Sequence, residues 1–254
     1  MSGHNKWSTI KHKKGVADAK RSKEFSRIIK EISIAVKEGG SDINGNPRLR
    51  VAVNNAKGVN MPKDNIERAI NKAEKDPANL QAITYEGYGP SGIGFVIECL
   101  SDNTNRTVSQ VRSVFTRRNC QLGTSGSLSF LFATKGVFTI EKEALQAKGL
   151  QPEDAEMMLI EGGADEIEMD EDQVVVYTSM EHYGAMQKYL DDNGIVPQNA
   201  ALQRIPSDTK VLSVEEGLKI MHMVADFEEL DDVQNVYHNL ELTDELAEAL
   251  EKEE

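Results

Sequence analysis

Cysteine is nearly missing from this 254-residue chain: Cys99 and Cys120 are the only two, 21 positions apart, with no CxxC and no histidine at metal-ligand spacing. That excludes a disulfide framework and a zinc site of the usual pattern, and it fits a reducing compartment. The histidines are as unhelpful to catalysis. His4, His12, His182, His222 and His238 form no HxH or HExxH pair, and no GxSxG elbow presents a serine nucleophile. The chain therefore reads as non-enzymatic and in need of no cofactor. Long apolar runs are also lacking: none approaches the ~20 residues of a membrane span, and Met1 to Thr9 hold no signal-like apolar stretch. A soluble, unexported, cytoplasmic protein is expected, with no membrane partner. Tryptophan occurs once, as Trp7.

Three short motifs suggest chemistry and then fail to carry it. Gly87, Gly89 and Gly92 spell GxGxxG, but a dinucleotide loop opens a helix, whereas here a strand pattern follows. The kinase form of that loop does sit in a hairpin, yet the chain has no VAIK, HRD or DFG. A structural turn whose glycines supply positive φ is expected. The run Asp165 to Asp172 packs six carboxylates into eight residues without the alternating ligands, glycine and closing glutamate of a calcium loop, so it reads as a solvated connection between strands. Asn105-Arg106-Thr107 matches a glycosylation sequon but is better explained as a helix entry.

What the chain does have is charge divided by position. The formal net charge is −13, but residues 1–75 hold 17 Lys+Arg against 8 Asp+Glu, a local excess of +9, leaving −22 for the rest. A basic binding arm on an acidic body is the ordinary meaning of such asymmetry. The acidic body repels a polyanion and so orients the encounter.

Along the chain, residues 1–14 (MSGHNKWSTIKHKK) show neither helical nor strand period and read as an extended arm carrying Lys6, Lys11, Lys13 and Lys14. From Gly15 to Lys37, Phe25, Ile28, Ile29, Ile32, Ala35 and Val36 recur at helical steps, with Lys20, Lys23, Arg27, Lys30 and Lys37 on nearly the opposite face. Asn46-Pro47 opens a short helix that stops near Gly58, and Pro62 opens a third, with Ile66, Ala69, Ile70 and Ala73 on one stripe. Strand periods then take over: 83–88, a Gly/Pro turn and 93–100, a helix with Val108, Val111, Val114 and Phe115 inward, and a strand around 127–132. Strand 136–141, helix 152–162, strands 165–170 and 173–178, helix 180–192 and strand 195–205 give the β-α-β-β-α-β order of a ferredoxin-like unit. A helix through Leu218, Met221, Val224 and Ala225 and a strand 232–239 then lack partners, unless they complete the sheet begun at Ile83. The fold class expected is α+β: an N-terminal three-helix domain followed by two ferredoxin-like α+β domains, the second inserted in the first. The boundaries read are 1–79, 80–133 with 206–240, 134–205, and an acidic tail 241–254.

Nine of the first 30 residues are Lys or Arg, opposed only by Asp18 and Glu24, an imbalance beyond what solubility asks of so acidic a chain. Lysine is a point charge suited to phosphate, whereas base edges are read by Arg, Asn and Gln forks. Backbone contact is therefore the expected mode, through Lys6, Lys11, Lys13, Lys14, Lys20, Lys23, Arg27 and Lys30. Trp7, within the arm, either stacks on a base or pins the arm to the helices.

The segments GHNKWSTIKHKK, NPRLR, NMPKDNIERAI, YEGYGP-SGIG, DNTNRT and LGTSGS, in this order, resemble the YebC/PmpR family from Gly3 to about Asn239. The resemblance implies three domains, one helical and two α+β. It implies a regulator of gene expression: some members are assigned as DNA-binding transcriptional regulators, and others, including a mitochondrial translational activator of cytochrome c oxidase, are linked to translation and the ribosome. Implied partners are thus DNA, ribosomal RNA or the ribosome. A monomer is compatible with everything in the sequence. Carried over by position, Lys6, Trp7, Lys11, His12, Lys13, Lys14, Lys20, Arg21 and Arg27 become contacts, while Arg48, Arg50, Lys63 and Arg106 serve equally well as contacts, helix ends or interface residues.

Overall fold

The computed structural model describes residues 18–77, 79–170 and 172–252, with side chains from Arg21 onward. Two compact units emerge, one formed by residues up to Arg27 with 79–133 and 204–254, the other by 28–78 with 134–203. Helices and antiparallel sheets alternate as an α+β fold in which one sheet-bearing segment is inserted in another.

The second unit begins within α1 (Asp18–Gly39) and continues through α2 (Pro47–Gly58) and α3 (Lys63–Lys75). Asn46 explains the NP opening of α2. Its side-chain oxygen accepts from Leu49 N at 3.0 Å, satisfying a free N–H of the first turn, while its amide donates to Ala35 O and Gly40 O. One side chain thereby closes the end of α1 onto the start of α2. The inserted segment contributes β4 (Phe132–Glu141), α5 (Lys142–Gln146), α6 (Pro152–Glu161), β5 (Glu166–Met169), β6 (Gln173–Ser179), α7 (Tyr183–Asp192) and β7 (Asn199–Pro206). Its strand order β5-β6-β4-β7, with antiparallel β5-β6 and β4-β6 pairs, is the ferredoxin-like arrangement. Phe138, Ile140, Leu159, Val174, Val176, Met186 and Leu190 form the core, and Val51 of α2 packs against it. Asn55 bonds the backbone of β7 twice, donating to Ala200 O at 3.0 Å and accepting from Ala200 N at 2.9 Å. The acidic run expected to be a connection instead holds β5 itself, paired with β6 from Glu166 opposite Tyr177 to Met169 opposite Val174, and Glu168 accepts a bond from the Tyr177 hydroxyl.

The first unit holds β1 (Gln81–Tyr88), β2 (Gly94–Ser101), α4 (Thr104–Arg117), β3 (Gln121–Leu122), α8 (Val214–Glu228), β8 (Val233–His238) and α9 (Asp244–Lys252). The sheet runs β3-β1-β2-β8, antiparallel throughout. The β1-β2 hairpin is the interior of this sheet, and β3 and β8 form its edges. Both faces of β2 are covered. Phe95, Ile97 and Cys99 meet α4 and α8 through Val111, Phe115, Val224 and Phe227, while Val96 meets Leu128, Phe132 and Tyr237 on the reverse.

Five expectations change. The strand expected at 127–132 is instead a chain of turns, and the short strand lies earlier, at Gln121–Leu122. The cause is Glu86, a carboxylate only 8% exposed that accepts from Gly126 N at 2.9 Å and Leu128 N at 2.6 Å, folding the loop back over the sheet. The positive φ expected at Gly89 is absent: its φ is −85°, and the left-handed residues of that turn are Ser91 and Gly92. Gly89 is needed for space, since a Cβ there would lie 2.5 Å from Cε2 of buried Phe95. Strand 136–141 starts earlier, at Phe132, and strand 195–205 starts later, at Asn199. Finally, what composition reads as an acidic tail carries α9, whose Leu246 and Leu250 are buried, with Leu246 close to the bare Cα of Gly217 on α8.

Candidate nucleic-acid interface

Phosphate binding needs cations that are exposed and not already neutralised, so each candidate is best judged by what its charge meets in the folded chain. Lys6, Trp7, Lys11, His12, Lys13 and Lys14 lie outside the described residues. Lys20 lies in α1. Arg21 lies over the ring of Phe25 at 5.5 Å, a cation–π contact.

Lys23 and Arg27 have a structural occupation. Arg27 donates from Nη2 to Glu228 O at 2.8 Å and from Nε to Val233 O at 3.1 Å, and Lys23 donates to Glu229 O at 3.1 Å. The carbonyls of Glu228 and Glu229 lie at the end of α8, where helix C-termini leave acceptors unsatisfied and carry partial negative charge, and that of Val233 opens β8. The two cations cap α8. Lys30 is half-buried within α1.

The second group of candidates is mostly paired. Arg48 bridges Glu38 and, at 3.7 Å, Glu31; Arg50 meets Asp191 at 3.4 Å; Lys63 meets Glu67 at 3.4 Å within α3. Arg106 is the most firmly held. Its guanidinium reaches Asp232 at 2.7 Å and Asp102 at 2.8 Å, and Asp232, only 3% exposed, also accepts from Ser101 Oγ and Thr107 Oγ1. Hydrogen bonding to Asp232 first, and to Asp102 second, pushes the Arg106 pKa above its already high ordinary value. The DNTNRT motif is thus a lock between the start of α4 and the residues before β8, and Asn103 caps α4 by accepting from Arg106 N.

Sequence reasoning overlooked the outer face of α3. At 100° per residue, Arg68, Lys72 and Lys75 fall together, opposite buried Ile66, Ala69, Ile70 and Ala73. Arg68 donates to Asp64 O and Asn65 Oδ1, neither a charge partner, and Lys72 and Lys75 have no carboxylate partner among the described residues. Lys37 and Lys57 are exposed in the same state. The signal was present in the i, i+4, i+7 spacing of these cations but was eclipsed by the richer N-terminus. Among the described residues no cluster of His, Cys, Asp and Glu is placed to hold a metal ion, and no helix is long and apolar enough to cross a membrane.

Comparison with known proteins matches the helical and the sheet-bearing segments separately. Residues 5–76 match the TACO1/YebC protein N-terminal domain, and residues 80–240 match the TACO1/YebC second and third domain. A probable transcriptional regulatory protein of Amoebophilus asiaticus is 46% identical over 244 residues, covering 94% of this chain and 98% of that protein. One of the same description from Geobacter sulfurreducens is 44% identical over 252 residues, covering 98% of this chain and 100% of its own. The crystal structure of a conserved hypothetical protein from Aquifex aeolicus superposes with a TM-score of 0.77 at 36% identity, covering 89% of this chain and 93% of that one. Matched over both its helical and its sheet-bearing segments, the chain belongs to the TACO1/YebC family.

Proposed function

We propose that this protein is a non-enzymatic regulator of gene expression that binds DNA through the phosphate backbone, using the basic N-terminal segment. One observation carries the reading: a chain of net charge −13 concentrates a +9 excess in residues 1–75. The name borne by its relatives, probable transcriptional regulatory protein, points the same way. Within the segment, the arm positions Lys6, Trp7, Lys11, His12, Lys13 and Lys14 and the helix positions Lys20, Arg21 and Lys30 are assigned as contacts, and Arg68, Lys72 and Lys75 of α3 are added to them. Lys23 and Arg27 contribute by holding α1 in place.

Neutralising about five phosphates makes log affinity fall with log salt at a slope near −4 to −5 on duplex DNA. The test is the full chain against a variant lacking residues 2–14, titrated with duplex DNA at several salt concentrations. A steep slope that flattens in the deleted variant supports the reading. Identical affinity and slope for both would refute it. Crosslinking in cells identifies the physiological target, with promoter DNA supporting the transcriptional reading and ribosomal RNA replacing it with a translational one.

A further inference from the structure

Among the described α-helices of the acidic body, one carries no acid. Residues 76–254 hold 34 Asp+Glu against 12 Lys+Arg, yet α4, TNRTVSQVRSVFTR, has three arginines and no carboxylate. By contrast, α6 exposes Glu153, Asp154, Glu156 and Glu161, and α9 exposes Glu245, Glu248 and Glu251. The inner side of α4, Thr107, Val111, Val114 and Phe115, is buried against the sheet and α8. Its outer arc holds Asn105, Ser109, Arg112, Ser113, Thr116 and Arg117, all exposed.

Carboxylates at the two ends of the helix are already paired. Arg106 meets Asp102 and Asp232 at the start of the helix, and Arg118 meets Asp226 of α8 at 2.7 Å beyond its end. Arg112 and Arg117 have no such partner among the described residues. On a helical projection they lie about 140° apart on the exposed side, with Asn105, Thr116, Ser109, Ser113 and the ion-paired Arg106 between them. Ser109 and Thr116 donate their protons to the carbonyls of Asn105 and Arg112, so these two hydroxyls are satisfied within the helix and add no charge to the face.

We infer that the outer face of α4 is a second docking surface for the phosphate backbone of duplex DNA, with Arg112 and Arg117 as the contacting residues. It rests on the reading of this chain as a nucleic-acid binder. Arginine forks and small hydroxyl residues are the side chains that meet phosphates. No aromatic lies on the face, so nothing there stacks on an unpaired base, which favours a duplex over a single strand. The surface gives the acidic body an attractive patch for the polymer that the rest of it repels.

The experiment uses the full chain with R112E/R117E and, separately, T116E, which adds the missing carboxylate while keeping both arginines. Affinity for a short random-sequence DNA duplex is measured against salt, with melting temperature as a check on folding. The expected result is an affinity at low salt reduced on the order of tenfold or more in the double variant, a salt slope shallower by about two, and a smaller loss in T116E. Unchanged affinity and slope in both variants, while the unaltered chain and the arm deletion behave as proposed above, would overturn this surface alone. If the unaltered chain shows no salt-dependent binding to the duplex, the underlying reading falls and this surface with it. A loss confined to single-stranded RNA would also overturn the assignment to a duplex.

Discussion

Arg27 shows how a single residue can satisfy a charge pattern and still serve another purpose. On the helical projection it belongs to the basic face, but its guanidinium is anchored on the carbonyls of Glu228 and Val233. Arg27→Ala should therefore lower stability by ~2 kcal/mol, the combined worth of charge-assisted bonds at a helix end, while leaving the salt slope of DNA binding nearly intact. Denaturant unfolding alongside the binding titration separates the two roles: a flattened slope at unchanged stability would make Arg27 a phosphate contact after all. Gly89 makes the same point for backbone shape. Gly89→Ala places a methyl group 2.5 Å from the Phe95 ring, so overpacking should cost ~1–3 kcal/mol. Gly92→Ala, at φ +71° with only Lys210 Nζ at 3.5 Å nearby, should cost only ~1 kcal/mol. Equal melting temperatures for the two would contradict this steric account. Tyr183 offers a pH signature. Stacked on Phe138 at 5.0 Å, it is desolvated by burial, which raises its pKa from 10.0 to about 12. The raised value means the folded state holds the proton more tightly, so this contribution is intact below pH 10 and is lost as pH rises from about 10 towards 12. Near pH 11.5 the loss is about 2 kcal/mol, and Tyr183→Phe should remove that part of the pH dependence. Unfolding titrations at pH 9 and 11.5 that decline equally in both proteins would exclude it.

At the scale of elements, legibility followed burial pattern. The hairpin of β1 and β2 could be read because β-branched and aromatic residues surround a Gly/Pro turn, and the helices of the N-terminal segment because apolar steps of three and four coincide with Asn46, Pro47 and Pro62. The misplaced strand near 127–132 had the right composition, but a buried carboxylate 41 residues earlier, Glu86 against Ser127, decides its conformation, and no local pattern reports that. Among the candidate contacts, the cationic face of α1 was visible while its partners at 228–233 were not, since they are more than 200 positions away. Helix α9 was hidden by its charge: seven of its nine residues are not leucine, and five are Asp, Glu or Lys, yet Leu246 and Leu250 repeat at i, i+4. Leu246→Ala should cost ~2–4 kcal/mol, as for other buried leucines truncated in a packed site, and deleting 241–254 should lower the melting temperature. A deletion that melts like the full chain would make this segment a dispensable tail.

For the whole molecule, the order in which the chain is made meets the order in which its sheets close. All strands of the inserted sheet, β4 to β7, lie within residues 132–206, so its pairing partners are close in sequence. The other sheet cannot finish until β8 arrives beside β2, and the register pairs Phe95 with His238 across the whole insertion. During synthesis from the N-terminus, β2 must therefore wait with an open hydrogen-bonding edge and with Val96 deprived of Tyr237, while the inserted sheet already has everything it needs. An unpaired apolar strand is an aggregation hazard. The acidic residues that dominate the chain after residue 75 keep such half-made molecules apart by mutual repulsion. The negative charge carried after residue 75 is thus a safeguard for the chain's birth.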